Sequence, residues 1–205
     1  GLERFAVLGV SGGAPFALAC ACRIPERILG CALVSPLGPI YLESLLDGLD
    51  WRTRLNFSAV HRTPLLSEFL FGPLTACFWS LYPQTLDSMR MATASIADLR
   101  ELASPEIRRT LNQAVHDAMR DGARGARQEL LLYTSDWRLP LDGIELETHL
   151  WHGEKDGTVP PSHSRWYAAN LPNTHAHFLA KEGHFSLPLR HAGRILRSLL
   201  AAHQP

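Results

Sequence analysis

Apolar residues follow two rhythms along the chain. Residues 5–8 (Phe-Ala-Val-Leu) and 28–34 are short apolar runs, 148–152 (Thr-His-Leu-Trp-His) reads as a short buried strand, and 176–180 is a further strand candidate. The continuous run at 28–34 marks a strand buried on both faces of a parallel sheet. Helical spacing fills 14–23, 162–170 and 189–202. Pro25 ends the first helix, and Ser35-Pro36-Leu37-Gly38-Pro39 breaks the second strand. From residue 40 to 137 no good strand occurs. Helix-like stretches lie there instead, at 41–46, 64–81, 84–102, 104–120 and 123–133. The stretch from Ser104 carries a start signal, with Ser104 at the N-cap, Pro105 at the first helical position and Glu106 in the first turn. Strand, helix, strand, long helical insertion, then two strand–helix units describes an α/β protein: a parallel β-sheet with flanking helices and an inserted helical cap. The expected division is 1–39 core, 40–137 helical cap and 138–205 core. No internal repeat or low-complexity segment is present.

At the end of the first strand stands Gly9-Val10-Ser11-Gly12-Gly13. A strand, then Gly-x-Ser-x-Gly, then a helix is the setting of a nucleophile elbow. A sharp turn holds the serine out in strained dihedrals, and side chains at Gly9 or Gly13 are expected to clash with the neighbouring strand and helix. The helix that follows turns its free N–H groups toward the same spot, so the amide of Gly12 is the expected oxyanion donor. Without that context the pattern is weak, since chance matches in glycine-containing loops are common.

Two further residue types complete the chemistry. Asp156 follows the strand at 148–152, and His184 follows the strand candidate at 176–180, giving the chain order Ser, Asp, His. A serine hydroxyl is a poor nucleophile until a base takes its proton, and histidine titrates near neutrality. An acid fixes the imidazole tautomer and stabilises the imidazolium. Singly, each residue has an ordinary reading: a capping serine, a turn aspartate before Gly157, one histidine among 10. Together, each at a strand end, they form a candidate triad. Glu154 and Asp142 are the alternative acids.

Composition narrows the partners. Lys plus Arg equals Asp plus Glu, at 20 each, so no charge excess points to nucleic acid or an anionic membrane. The cluster Arg108, Arg109, Arg120, Arg124 and Arg127 is interleaved with acids and reads as a solvated helix face. No apolar run is long enough to span a bilayer. Cys20 and Cys22 lie two apart on a predicted helix and face different sides, so they do not pair readily. With Cys31 and Cys77 they read as small apolar residues in a reducing, cytoplasmic compartment. His149 and His152 are three apart and His175 and His177 two apart, but neither pair has a ligand set at a known metal spacing; no metal or cofactor is expected.

The elbow Gly9–Gly13, the His-Gly-x-x-Asp-like run from His152 to Asp156 and the dipeptide Gly183-His184 resemble an α/β-hydrolase with a helical cap. The resemblance covers nearly the whole chain, although its cap residues are not diagnostic. It implies Ser11 as nucleophile, Asp156 as acid and His184 as base. It also implies that several strands and a helix, with a second oxyanion donor, precede the elbow, so this chain is expected to be N-terminally truncated. About four parallel strands should remain, the first with an open apolar edge. Related epoxide hydrolases and haloalkane dehalogenases carry aspartate at the elbow. A serine favours acyl transfer to water, hence hydrolysis of a carboxylic ester, thioester or lactone of a small apolar molecule. Carbon–carbon bond hydrolysis is an alternative, lowered because Gly12 follows the serine where methionine is seen in many such enzymes. A non-catalytic ligand- or partner-binding protein of the same fold is the rival from outside enzymology. Phe69, Phe71, Phe78, Trp79 and Tyr82 either hold cap helices together, or one or two of them line an apolar acyl or alcohol pocket.

Overall fold

The computed structural model describes residues 1–62, 90–120 and 124–201. Strands β1 (Phe5–Val10), β2 (Ile28–Val34), β3 (Thr148–Gly153) and β4 (Thr174–Leu179) form one sheet in the order β1-β2-β3-β4. All three pairings are parallel, and Val10, Val34, Trp151 and His177 lie side by side across it. β4 begins two residues before the expected 176, with Thr174 opposite Thr148. The pattern His-Ala-His there lacks an apolar run, and pairing with β3 sets the boundary instead.

Side chains alternate across β2, so its apolar run feeds two cores. Cys31 and Leu33 pack with Leu18, Leu150 and Tyr167, while Ala32 and Val34 pack with Trp151, Leu187, Ile195 and Leu199. The first face is covered by α1 (Ala14–Arg23) and α7 (Pro161–Asn170), the second by α8 (Ser186–Ala201). Each fully buried leucine here contributes about 2 kcal/mol of transfer free energy. β1 pairs on one side only, and Leu8 and Val10 are 44% and 40% exposed, which makes it an apolar edge among the described residues.

Between β2 and β3 the described segments are helical: α2 (Glu43–Leu46), α3 (Trp51–Arg62), α4 (Ile96–Leu102), α5 (Pro105–Met119) and α6 (Arg124–Tyr133). α3 has no apolar stripe to announce it. Its start is marked by Asp50, whose Oδ2 accepts from the amides of Arg52 and Thr53. The helix expected over 84–102 is interrupted: Ala94 and Ser95 are not helical, and α4 starts afresh with Ser95 as its cap. Ser104 caps α5 as its sequence predicts, accepting from the amide of Ile107. Arg109, Arg120 and Arg124 are exposed, while Arg108 and Arg127 are half-buried. The stretch 64–81 and the aromatics Phe69, Phe71, Phe78, Trp79 and Tyr82 lie outside the described residues, as does Cys77. Cys20, Cys22 and Cys31 are free thiols.

The loop after β2 backs the elbow. The Leu37 amide donates to the Ser11 carbonyl (3.0 Å), and Tyr167 Oη donates to the Leu37 carbonyl (2.7 Å). His163, fully buried on α7, bridges the same loop: its Nδ1 accepts from the Gly38 amide and its Nε2–H donates to the Leu45 carbonyl, each at 2.9 Å.

Candidate active site

Ser11, Asp156 and His184 all lie just beyond the C-terminal ends of strands, on β1, β3 and β4 respectively. Parallel strands bring such loops to one edge of the sheet, where open α/β folds place their ligands. Ser11 has φ of 53°, in the left-handed region, at a cost of about 1–3 kcal/mol for a residue with a Cβ. It opens a single 3-10 turn, Ser11–Gly13, that runs directly into α1.

The elbow glycines differ in purpose. A Cβ on Gly9 would lie 2.8 Å from both the Ala14 Cα and the Gly13 carbonyl oxygen, so the return of the chain excludes any side chain there. Gly13 departs from expectation. It has ordinary right-handed backbone (φ −74°), and no described atom lies within 4 Å of where its Cβ would be. The predicted clash at Gly13 is therefore absent among the described residues, because α1 leads away from the turn there. Gly12 is covered by the Tyr133 ring, whose Cζ would sit 2.9 Å from a Cβ at that position.

Asp156 and His184 form a buried pair, with Nδ1–H of the imidazole donating to Oδ2 at 2.8 Å. The carboxylate is held from three more directions. Oδ1 accepts from the amides of Thr158 (2.9 Å) and Val159 (2.8 Å), and His152 Nε2 stands 3.4 Å from Oδ2. Burial alone pushes this carboxyl up; the charge and hydrogen bond of His184 and the hydrogen bond of His152 outweigh it and hold it well below the ordinary carboxylate range. Asp156 thus stays ionised, as the orienting partner of an imidazole must. The alternative acids are engaged elsewhere or open to solvent: Glu154 takes Arg165 (2.7 Å), and Asp142 is exposed.

Ser11 and His184 face one cavity of about 750 Å³, within the size range of small-molecule sites. Leu111, Val115 and Met119 of α5 and Leu130 of α6 supply much of its wall, so the surface is mainly aliphatic. Tyr133 also lines it; burial first, then the nearby Glu129 carboxylate, raises its phenol to about 12 and keeps it protonated. His149 and His152 part, since His149 leans on Glu147 (3.1 Å) while His152 donates to the Val159 carbonyl (2.9 Å), whereas His175 and His177 share one face of β4 and both stack on His149. Among the described residues no group of three or more His, Cys, Asp or Glu side chains could hold a metal ion. Among them, too, no helix is long and apolar enough to cross a membrane.

Sequence reasoning did not single out Tyr133, Ser164 or Asp98. Ser164 is a partner of the His152 ring, and the Ser95-x-x-Asp98 spacing is a capping-box signal that could have been read.

The family model described as alpha/beta hydrolase fold matches residues 1–190, and the chain belongs to that family. A pimeloyl-[acyl-carrier protein] methyl ester esterase of Aromatoleum aromaticum is 29% identical over 167 residues, which are 82% of this chain and 61% of that protein. An esterase from Exiguobacterium antarcticum superposes with a TM-score of 0.61 at 16% identity, over 97% of this chain and 66% of the other. A bromoperoxidase from Bacillus anthracis gives 0.61 at 19% identity, over 98% and 67%. At such identities the structures share the fold alone. The chain spans about three-fifths of the curated relative's length.

Proposed function

We propose that this chain carries the catalytic centre of a serine hydrolase that cleaves a carboxylic ester, thioester or lactone of a small apolar molecule. The observation that carries this reading is the buried Asp156–His184 pair opening onto the same aliphatic cavity as the strained Ser11. The similarity to a methyl ester esterase supports the bond type. In the mechanism, His184 Nε2 takes the Ser11 hydroxyl proton as Oγ attacks the substrate carbonyl carbon. The Gly12 N–H donates to the resulting oxyanion. Collapse breaks the bond to the leaving oxygen or sulfur, which receives the proton from His184, and leaves the acyl group on Ser11. Water, deprotonated by His184, attacks this acyl-enzyme; collapse breaks the bond to Ser11 Oγ, which takes the proton back from His184, and the acid is released. Asp156 stays charged and holds His184 in the productive tautomer. The aliphatic wall of a cavity of about 750 Å³ favours an acyl chain over a polar substrate. The free thiols fit a cytoplasmic setting.

The test is intact-mass analysis after treatment with a fluorophosphonate, followed by hydrolysis of p-nitrophenyl esters of increasing chain length. One adduct on Ser11, absent from Ser11→Ala, with ester turnover is the expected result. A folded protein that takes no label would refute the proposal and favour the ligand-binding reading.

A further inference from the structure

Asp98 is fully buried, carries a carboxylate and lies on α4, outside the triad. Its Oδ2 accepts from the Ser95 amide (3.0 Å), the Ser95 hydroxyl (2.9 Å) and the His184 amide (3.1 Å). Its Oδ1 accepts from the amides of Phe185 (2.8 Å) and Ser186 (2.7 Å). One of these donors, the Ser95 amide, is the capping-box bond that with the Asp98 amide donating to Ser95 Oγ (3.1 Å) closes the first turn of α4, and the Ser95 hydroxyl adds a second from the same turn. The other three come from a loop 86 to 88 residues away in sequence.

We infer that Asp98 is a positioning residue for His184, acting on its backbone as Asp156 acts on its ring. This rests on the triad reading above. The three amides of His184, Phe185 and Ser186 lead into the N-terminus of α8, where free N–H groups and the helix dipole favour an anion. A side chain from a different helix therefore fills the place of an N-cap, and in doing so fixes the height at which His184 leaves the backbone. Once its amide and its Nδ1 are both held by carboxylates, the imidazole has little freedom left except about its outer bonds.

The contact has no slack. A Cβ on Gly183 would lie 2.6 Å from the Asp98 carboxyl carbon, so only glycine lets the loop approach. The segment leading into α4 also reaches the acid loop, where Thr93 Oγ1 meets Thr158 Oγ1 at 2.9 Å, and Thr158 in turn donates its amide to Asp156. Residues 93–98 thus touch both the acid and the histidine loops. Glu101, one turn further on, binds Arg190 of α8 (2.7 Å), and only through that arginine, which also reaches Glu182 (3.5 Å), does it approach the His184 loop.

The experiment compares the second-order rate of fluorophosphonate labelling of Ser11 in the wild-type chain, Asp98→Asn, Ser95→Ala and Glu101→Gln. It also follows the low-field proton resonance of the His184 Nδ1–H···Asp156 bond. Asparagine keeps the shape but points N–H groups at amide donors, which must then move apart. Labelling by Asp98→Asn should fall about tenfold to a hundredfold, the scale for misplacing a reacting group by about 1 Å. With an ester substrate the loss should appear in kcat, with KM held, because Asp98 does not line the cavity. The low-field resonance should vanish or shift. Ser95→Ala should show a smaller loss, and Glu101→Gln none. Wild-type labelling and an unchanged resonance in Asp98→Asn would overturn the inference. If Asp98→Asn does not fold, Ser95→Ala decides: slower labelling in a folded protein supports the inference, and a wild-type rate refutes it. If the wild-type chain itself takes no label, the esterase reading fails, and the resonance alone judges Asp98.

Discussion

His163→Asn should make folding stability less sensitive to acid. In the folded chain His163 is fully buried, and desolvation lowers its pKa from 6.5 to about 4. The neutral tautomer is the one the structure needs, since Nδ1 must accept from Gly38 while Nε2–H donates to Leu45. Unfolding exposes the ring, which then takes up a proton at its ordinary pKa. Because the folded value lies lower, the unfolded state binds more protons between about pH 6.5 and pH 4. The stabilisation is whole above 6.5 and is lost as the pH falls through that window. The full gap corresponds to about 3 kcal/mol, of which about 2 kcal/mol should be lost between pH 7.5 and pH 5. Asparagine can keep an acceptor for the Gly38 amide but does not titrate. Urea denaturation at both pH values, on both proteins, gives the four free energies required. The variant starts from a lower stability, having lost the Leu45 contact, but its drop on acidification should be smaller than the wild-type drop by about 2 kcal/mol. Equal drops in the two proteins would refute the assignment of a neutral, desolvated His163.

Other perturbations reach the candidate site directly. Asp156→Asn should slow labelling of Ser11 by about a thousandfold to ten-thousandfold, through the wrong imidazole tautomer; a loss of less than tenfold would return the role to another acid. Gly9→Ala should cost about 2 kcal/mol in urea denaturation, because the Ala14 Cα and the Gly13 carbonyl stand 2.8 Å from the new Cβ, and an unchanged midpoint would contradict the elbow geometry. Leu111→Trp, on the cavity wall, should raise KM for octanoate esters by about tenfold while leaving acetate esters little changed; equal effects on both would place the acyl chain elsewhere.

Much of the core was legible in the chain because its signals are local. The run Ile28–Val34 is apolar at nearly every position since both faces are covered, and the structure places it between two separate cores. Gly9 and Ser11 stand in a strand–turn–helix context whose sharp return needs both a missing side chain and a left-handed residue. Asp156 and His184 follow strands, and parallel topology carries such loops to a common edge. Where local signals are faint, tertiary contacts set the boundaries. β4 carries His-Ala-His in place of an apolar run, and its limits come from pairing with β3. The break before α4 is set by the Ser95 cap, hidden inside a stretch of good helix formers.

By itself the sequence determined the order of the strands, the sharp turn at the serine and the three residue types of the candidate triad, because periodicity, turn sterics and chain order act over a few residues. Only the tertiary structure decided which acid reaches His184, that Gly13 meets no clash among the described residues, that α5 and α6 line the cavity, and that Asp98 grips the histidine loop from 86 residues away. Those contacts join groups far apart along the chain. Their energies depend on burial and on the direction of single hydrogen bonds, and neither is written in any local pattern.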